Sequence, residues 1–172
     1  VSGTYFAVWA PNAASVHVIG TFNGWDEGAN PLTKLGPGGI YSAFIPGVGT
    51  GELYKFLITT PDGRKLYKAD PFANAAEYRP GTASITADLS GIKWSDDTWM
   101  GVRAKKDWNA EPIAIYECHI GSWMKHPDGE EGFYNYREFA DRIVEYLKEM
   151  KYTHVELMGI AEHPFDGSWG YQ

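Results

Sequence analysis

The last twelve residues of the sequence, 161–172 (AEHPFDGSWGYQ), bring carboxylates, a histidine and three aromatic rings into one short stretch. Such crowding of apolar, aromatic and charged side chains is typical of a ligand-binding loop. Carboxylates such as Glu162 and Asp166 can act as acids, bases or nucleophiles. Aromatic rings such as Trp169 and Tyr171 can stack on the flat faces of other groups. This stretch is therefore the first candidate for a functional site.

Metal or thiol chemistry would need a different spacing of residues. His163 and Asp166 lie three positions apart on a loop that contains Pro and Gly, and neither a CxxC nor an HExxH arrangement is present. Cys118 and His119 are neighbours in an apolar run, and neighbours on a strand point to opposite faces, so His119 is badly placed to activate the thiol. We therefore predict no metal, no cofactor and a structural cysteine.

The composition excludes several classes of protein. The formal net charge of −7 argues against a nucleic-acid partner, and no apolar run reaches the roughly 20 residues of a membrane span. Cys118 is the single cysteine, which favours a reducing cytoplasm. Aromatic residues make up 15% of the chain, with 7 Trp and 11 Tyr. Their rings suit stacking on sugars, although for any single ring a place in the core is the more common role.

The elements that must position these residues change in character near residue 95. Before it, short apolar runs alternate with turns rich in Gly, Pro, Asn and Asp, which is typical of an antiparallel β-sandwich. The predicted strands are 4–10, 15–22, 40–47 and 51–60. The PDG sequence at 61–63 predicts a hairpin turn after the fourth run. We place the sandwich at 1–95.

After residue 112 the pattern is that of a βαβ unit. The runs 113–120 and 153–158 predict strands buried on both faces, and 135–150 predicts a helix between them. Asn135 and Glu138 have the spacing of a capping box. The predicted apolar face of the helix contains Phe139, Ile143, Tyr146, Leu147 and Met150. In parallel α/β folds ligands bind beyond the carboxyl ends of the strands, so the final loop would lie at the functional end.

Two sets of motifs resemble a known family. FAVWAPNAASVHVIGTFNGWD, YKFLI and KADPFA look like the carbohydrate-binding module that precedes the catalytic barrel of glycogen- and starch-remodelling enzymes. IYECHIGSW, THVELM and EHPFDGSWGYQ look like the first two strands of that barrel in 1,4-α-glucan branching enzymes. The resemblance implies an all-β immunoglobulin-like sandwich at 1–95, a linker at 96–111, and at 112–172 the first βαβ unit of an incomplete (β/α)8 barrel. Two positions depart from the family pattern: Lys151, where Gly often ends the helix, and Gly159, which is usually Pro.

The resemblance implies a transglycosylase of glycogen biosynthesis that cleaves α-1,4 glucan chains and transfers the cut segment to a 6-hydroxyl. Such retaining chemistry uses two carboxyl groups about 5–5.5 Å apart. In the family these groups follow the fourth and fifth strands of the barrel. We therefore expect no catalytic residue in this chain, which would be inactive without the remainder of the barrel. No such role is assigned to Glu117, Glu156, Glu162 or Asp166.

The resemblance also implies residues that contact an α-glucan such as glycogen, amylose or a maltooligosaccharide. Tyr171 matches the tyrosine that stacks on the sugar before the scissile bond, and Trp169 is a weaker candidate in the same loop. On the module, Trp25, Lys55 and Tyr67 lie at or near positions that bind sugar in relatives. Two other functions stay open: a glucan-binding or targeting module without catalysis, and the front of a debranching or trehalose-releasing enzyme.

Overall fold

The computed structural model describes residues 2–126, 132–163 and 165–171, without the side chain of Asp166. The chain forms two compact units, residues 1–92 and 93–172. The domain limits predicted from the sequence, at residues 95 and 111, stay predictions. Among the described helices, none has the length and apolar character needed to cross a bilayer.

The first unit is built from antiparallel strands. Within the described residues they are β1 (Gly3–Trp9), β2 (Ser15–Gly20), β3 (Thr33–Leu35), β4 (Ile40–Pro46), β5 (Leu53–Thr59), β6 (Lys65–Lys68), β7 (Ala75–Ala76) and β8 (Ser84–Ile85). One sheet, here called sheet A, has the order β1-β4-β3. The other, sheet B, has the order β2-β5-β8-β7, with β6 also paired to β5. The four predicted strands are confirmed, and each ends one or two residues before the end of its apolar run.

The two sheets bury one shared core. Sheet A contributes Phe6 and Tyr41, while sheet B contributes Val18, Tyr54 and Phe56. Alternate residues of each strand point inward, as the period of two requires. The first unit is therefore a two-layer β-sandwich, and each sheet has one outward face that can meet a ligand.

The hairpin predicted at 61–63 is confirmed and sets the position of β6. The Thr60 amide donates to the Arg64 carbonyl at 2.9 Å, and the Gly63 amide donates to the Thr60 carbonyl at 2.9 Å. Gly63 has φ 84°, a left-handed conformation that glycine adopts without steric cost. The turn brings β6 back along β5, so that Tyr67 pairs with Leu57.

The second unit contains the predicted strand, helix and strand. Its elements within the described residues are α1 (Asp97–Arg103), β9 (Ile115–His119), α2 (Ile120–Trp123), α3 (Tyr136–Met150) and β10 (His154–Met158). β9 and β10 pair in parallel. The capping box is confirmed, since Asn135 Oδ1 accepts from the Glu138 amide at 3.1 Å and Glu138 Oε2 accepts from the Asn135 amide at 2.9 Å. Lys151 ends α3 with φ 62°.

The packing of the second unit corrects two expectations. Phe139 and Ile143 of α3 are buried against Cys118, but Met150 is exposed rather than part of the apolar face. α3 covers one face of β9 and β10, while Ile115 on the opposite face is exposed, so the strands are not buried on both faces in this unit. Within the stretch predicted as a linker, residues Asp97–Arg103 form the short helix α1.

Candidate functional site

The outward face of sheet B carries two of the three residues that the resemblance placed on the module. Lys55 pairs with Ile19 of β2, and Tyr67 of β6 pairs with Leu57. Paired residues share a face, and within β5 residues 55 and 57 point to the same side. This side is opposite to the core residue Phe56. Register and hairpin length therefore bring Lys55 and Tyr67 to one surface.

Residues 21–32, here called the 21–32 loop, cross that surface. The loop returns to the free edge of β2, where Val18 donates to the Asn30 carbonyl at 3.1 Å. Glu27, near its middle, bonds instead to Lys65 and Tyr67 of β6. Strands β2 and β6 flank β5, so they lie about 10 Å apart. The loop must therefore arch over the outward side of β5, and this agrees with the near-complete burial of Leu57 there.

Trp25, the third residue of the set, lies in this loop in an unusual conformation. Gly24 and Trp25 both have φ 62°, and the Trp25 amide donates to the Gly20 carbonyl at 2.9 Å. The left-handed region costs a bulky residue of the order of 1–3 kcal/mol, and such residues occur often in ligand sites. The Trp25 residue is 38% exposed. The backbone therefore holds a tryptophan, at a conformational cost, with part of the residue in solvent.

The polar groups of this surface are partly engaged. Lys55 Nζ donates to Thr82 Oγ1 at 2.7 Å, which leaves two of its three hydrogens for other acceptors. The Tyr67 hydroxyl donates to Glu27, and this bond raises the pKa of Tyr67. The bonds from Lys65 and Tyr67 lower the pKa of the Glu27 carboxyl. At neutral pH the surface thus offers a lysine donor and an ionised carboxylate beside exposed aromatic rings.

His17 lies on the same face and has an unusual environment. It pairs with Leu57 of β5 on one side and forms a bridge with Pro31 of the 21–32 loop on the other. Among the described side chains, His17 Nδ1 is the buried polar atom that has no hydrogen-bond partner. An unpaired buried polar atom costs about 1–3 kcal/mol, so Nδ1 of His17 lowers the stability of the folded state.

Sequence reasoning missed Glu27, and no local signal could have found it. Its partners Lys65 and Tyr67 are 38 and 40 residues away. It also missed the aromatic outward face of sheet A, where Tyr5 pairs with Phe44. There the polar tips are already used, since the Tyr5 hydroxyl donates to Ser42 Oγ at 2.7 Å and Trp9 Nε1 donates to the Gly38 carbonyl at 2.9 Å. That face offers a ligand less hydrogen bonding than sheet B does.

The final loop follows β10 in the second unit. Tyr171 is 65% exposed, and its backbone amide donates to the Ser168 carbonyl at 3.0 Å. Trp169 stacks on His119 with ring centroids 4.7 Å apart, so one of its faces already has a partner. Gly159 has φ 55°, and a Cβ there would lie 2.0 Å from the Trp169 carbonyl oxygen. The loop therefore closes against Gly159, whose conformation proline cannot adopt.

Among the described side chains of the second unit, the other candidates do not converge on one centre. Glu117 and Glu156 face each other across β9 and β10 and are both exposed. Cys118 is buried, and burial raises the pKa of its thiol. The side chain of Asp166 lies outside the described residues. Within the part of the chain that the structure describes, no group of three or more His, Cys, Asp and Glu could hold a metal ion.

Comparison with known proteins identifies relatives of both units. Residues 1–73 match the family model of carbohydrate-binding module 48 (isoamylase N-terminal domain). The 1,4-alpha-glucan branching enzyme GlgB of Butyrivibrio fibrisolvens is 72% identical over 99% of this chain and 27% of its own length. GlgB of Corynebacterium diphtheriae is 52% identical over the whole chain and 22% of its own length, and that of Bacillus caldolyticus is 49% identical over 99% of the chain and 25% of its own length. The chain spans about a quarter of these relatives.

A solved structure shares the fold over both units. An alpha-amylase-like protein from Salmonella typhimurium superposes with a TM-score of 0.67 at 25% sequence identity. The match covers 97% of this chain and 24% of that protein. The arrangement of strands described above is therefore one that occurs in a solved relative.

Proposed function

We propose that the first unit binds α-glucan on the outward face of sheet B. The similarity of this chain to 1,4-alpha-glucan branching enzymes and the match of residues 1–73 to carbohydrate-binding module 48 support this proposal. The observation that carries this proposal is the convergence of Lys55, Tyr67 and the loop of Trp25 on one surface. Aromatic rings offer apolar faces to a sugar ring, and Lys55 retains donors for its hydroxyls.

We further propose that the whole protein branches α-glucan in glycogen biosynthesis. A carboxylate would attack C1 of the sugar at the scissile bond and displace the 4-oxygen of the next sugar, which a carboxylic acid would protonate. A 6-hydroxyl would then attack the same C1, give its proton to the conjugate base of that acid and release the first carboxylate. Residues outside these 172 would supply both carboxyl groups. β9, α3 and β10 would form the start of a (β/α)8 barrel that follows the immunoglobulin-like sandwich. The functional end of such a barrel is formed by the carboxyl ends of its strands.

Within that enzyme, Tyr171 would stack on the sugar next to the scissile bond. Its exposure and its place beyond β10 support this role. Trp169 would line the sugar site from the same loop. Its stacking on His119 supports a role in packing that loop as well. We propose a cytoplasmic location for the protein, supported by its single buried and free cysteine, Cys118.

Calorimetric titration of the 172-residue chain with maltoheptaose tests the binding function. We expect saturable binding, and no binding of cellohexaose, whose β-1,4 linkages give the chain a different shape. Absence of maltoheptaose binding would overturn the proposal for the module. The loss of iodine colour from amylose tests the assignment of catalysis: the 172-residue chain should cause none, and a loss that persists after repurification would refute it.

A further inference from the structure

The side chain of Glu27 connects the 21–32 loop to β6. Its Oε2 accepts from Lys65 Nζ at 2.5 Å, and its Oε1 accepts from the Tyr67 hydroxyl. Glu27 is two residues beyond Trp25 in the loop. A single carboxylate therefore joins the loop of one proposed stacking residue to the ring of another.

The other described anchors of the loop do not reach β6. Asn23 Nδ2 donates to the Val18 carbonyl at 3.0 Å and to Asn30 Oδ1 at 2.8 Å, which ties the loop to β2 and to itself. Asp26 Oδ1 accepts from the Gly28 amide at 2.8 Å, again within the loop. Among the described bonds, the link between the loop and β6 is thus made by Glu27.

We propose that Glu27 is a positioning residue of the glucan surface, which fastens the 21–32 loop to β6 so that Trp25 and Tyr67 form one rigid platform. The inference rests on the proposed glucan-binding function of this face. Glu27 holds the Tyr67 hydroxyl in one direction and leaves the ring exposed. Because the loop is already ordered, less conformational entropy is lost when a glucan binds.

Because the contact of Glu27 with Lys65 and Tyr67 is exposed, its loss should affect the order of the loop more than the stability of the sandwich. Glu27, Lys65 and Tyr67 are all solvent-accessible, and exposed ion pairs add little to the stability of a protein. Loss of the contact should therefore leave the sandwich folded. It should instead free the middle of the loop, since the loop would keep its bonds to β2 and to itself and, at its first residue, the bonds of Thr21 to Glu52 and to the Leu53 amide. A defect in binding without a defect in folding is the signature of this role.

The chain offers a matched control at Asp62. This exposed carboxylate also makes two side-chain bonds, to the Thr60 hydroxyl and to Arg64 Nε at 2.7 Å. Both partners lie within the β5–β6 hairpin, so Asp62 does not link the loop to β6. Asp62→Asn removes a negative charge from the β5–β6 hairpin and leaves the bonds of Glu27 to β6 in place.

The test measures maltoheptaose affinity and the state of the loop separately. We expect Glu27→Ala to raise the dissociation constant by about three- to tenfold. Glu27→Gln, whose amide oxygen can still accept one bond, should cause a smaller loss, and Asp62→Asn should match wild type. Without glucan, the indole N–H resonance of Trp25, assigned by its absence in Trp25→Phe, should shift in Glu27→Ala and in Tyr67→Phe. The thermal midpoint should stay within about 2 °C of wild type.

Each outcome decides one of the two proposals. Wild-type affinity in Glu27→Ala, with an unmoved Trp25 resonance, would overturn the positioning role. Equal losses of affinity in Glu27→Ala and Asp62→Asn would overturn it as well, because the effect would then be one of charge. A wild-type chain that binds no maltoheptaose would overturn the proposed function instead. In that case the Trp25 resonance and the hydrogen exchange of amides 24–28 would still show whether Glu27 holds the loop.

Discussion

Replacing Trp25 by alanine should weaken glucan binding, and the exposed area of Trp25 sets an upper limit on the loss of affinity. Trp25 exposes 38% of its surface, which for a side chain of up to about 250 Å² leaves about 90 Å² for a ligand. At about 25 cal/mol per Å² of apolar area, full coverage of that surface contributes about 2 kcal/mol. The loss in affinity should therefore not exceed roughly 30-fold.

Titration with maltoheptaose measures this loss, and Trp9→Ala is the matched control. Trp9 is 69% exposed, more than Trp25, but lies on the outward face of sheet A. If exposed aromatic area alone bound the glucan, Trp9→Ala should cost at least as much as Trp25→Ala. We expect Trp9→Ala to leave the affinity unchanged, and Trp25→Tyr to retain part of it.

Two results would refute this reasoning. An affinity within twofold of wild type for Trp25→Ala would remove its ring from the site. A loss well above 30-fold would mean that the substitution collapses the 21–32 loop instead of removing a stacking surface. The near-ultraviolet circular dichroism of each variant distinguishes such a collapse from a local loss of contact.

Three predictions concern stability. Tyr54→Phe should lower the free energy of unfolding in urea by about 1.5 kcal/mol, because Asp70 Oδ2 loses a donor at 2.7 Å. Burial and the bond to Asp70 raise the pKa of the Tyr54 hydroxyl, so the folded state keeps this proton to a higher pH than the unfolded chain does. The free energy of unfolding of the wild type should therefore fall above about pH 10, and that of Tyr54→Phe should fall less. His17→Leu should raise the urea midpoint, with a gain of about 1 kcal/mol, because it removes the buried unpaired Nδ1; a lower midpoint would show that this nitrogen has a solvent partner. Lys151→Gly should slow hydrogen exchange at the end of α3, because glycine relieves a φ of 62° that costs another residue about 1 kcal/mol, and unchanged exchange would count against that strain.

Several features of this protein follow from residues that are close in sequence. The short apolar runs between turn-rich segments predicted β1, β2, β4 and β5, since turn residues and apolar runs are local signals. The turn at 61–63 and the box of Asn135 and Glu138 are local hydrogen-bond patterns, so their residues alone specify them. The change of period after residue 112 likewise predicted the parallel pair and its helix.

Other features of the candidate site depend on residues that are far apart in sequence. Neither the bond of Glu27 to Tyr67 nor the stacking of Trp169 on His119 has a local pattern, because each joins residues at least 40 positions apart. The exposure of Met150 was also missed, since a helical period shows which residues share a face but not how far the neighbouring strands extend. The sequence by itself determined the main strands, the hairpin turn and the capping box. Tertiary structure decided that the 21–32 loop crosses β5 to reach β6, because only the packed sheet brings a carboxylate and its two distant partners within bonding distance.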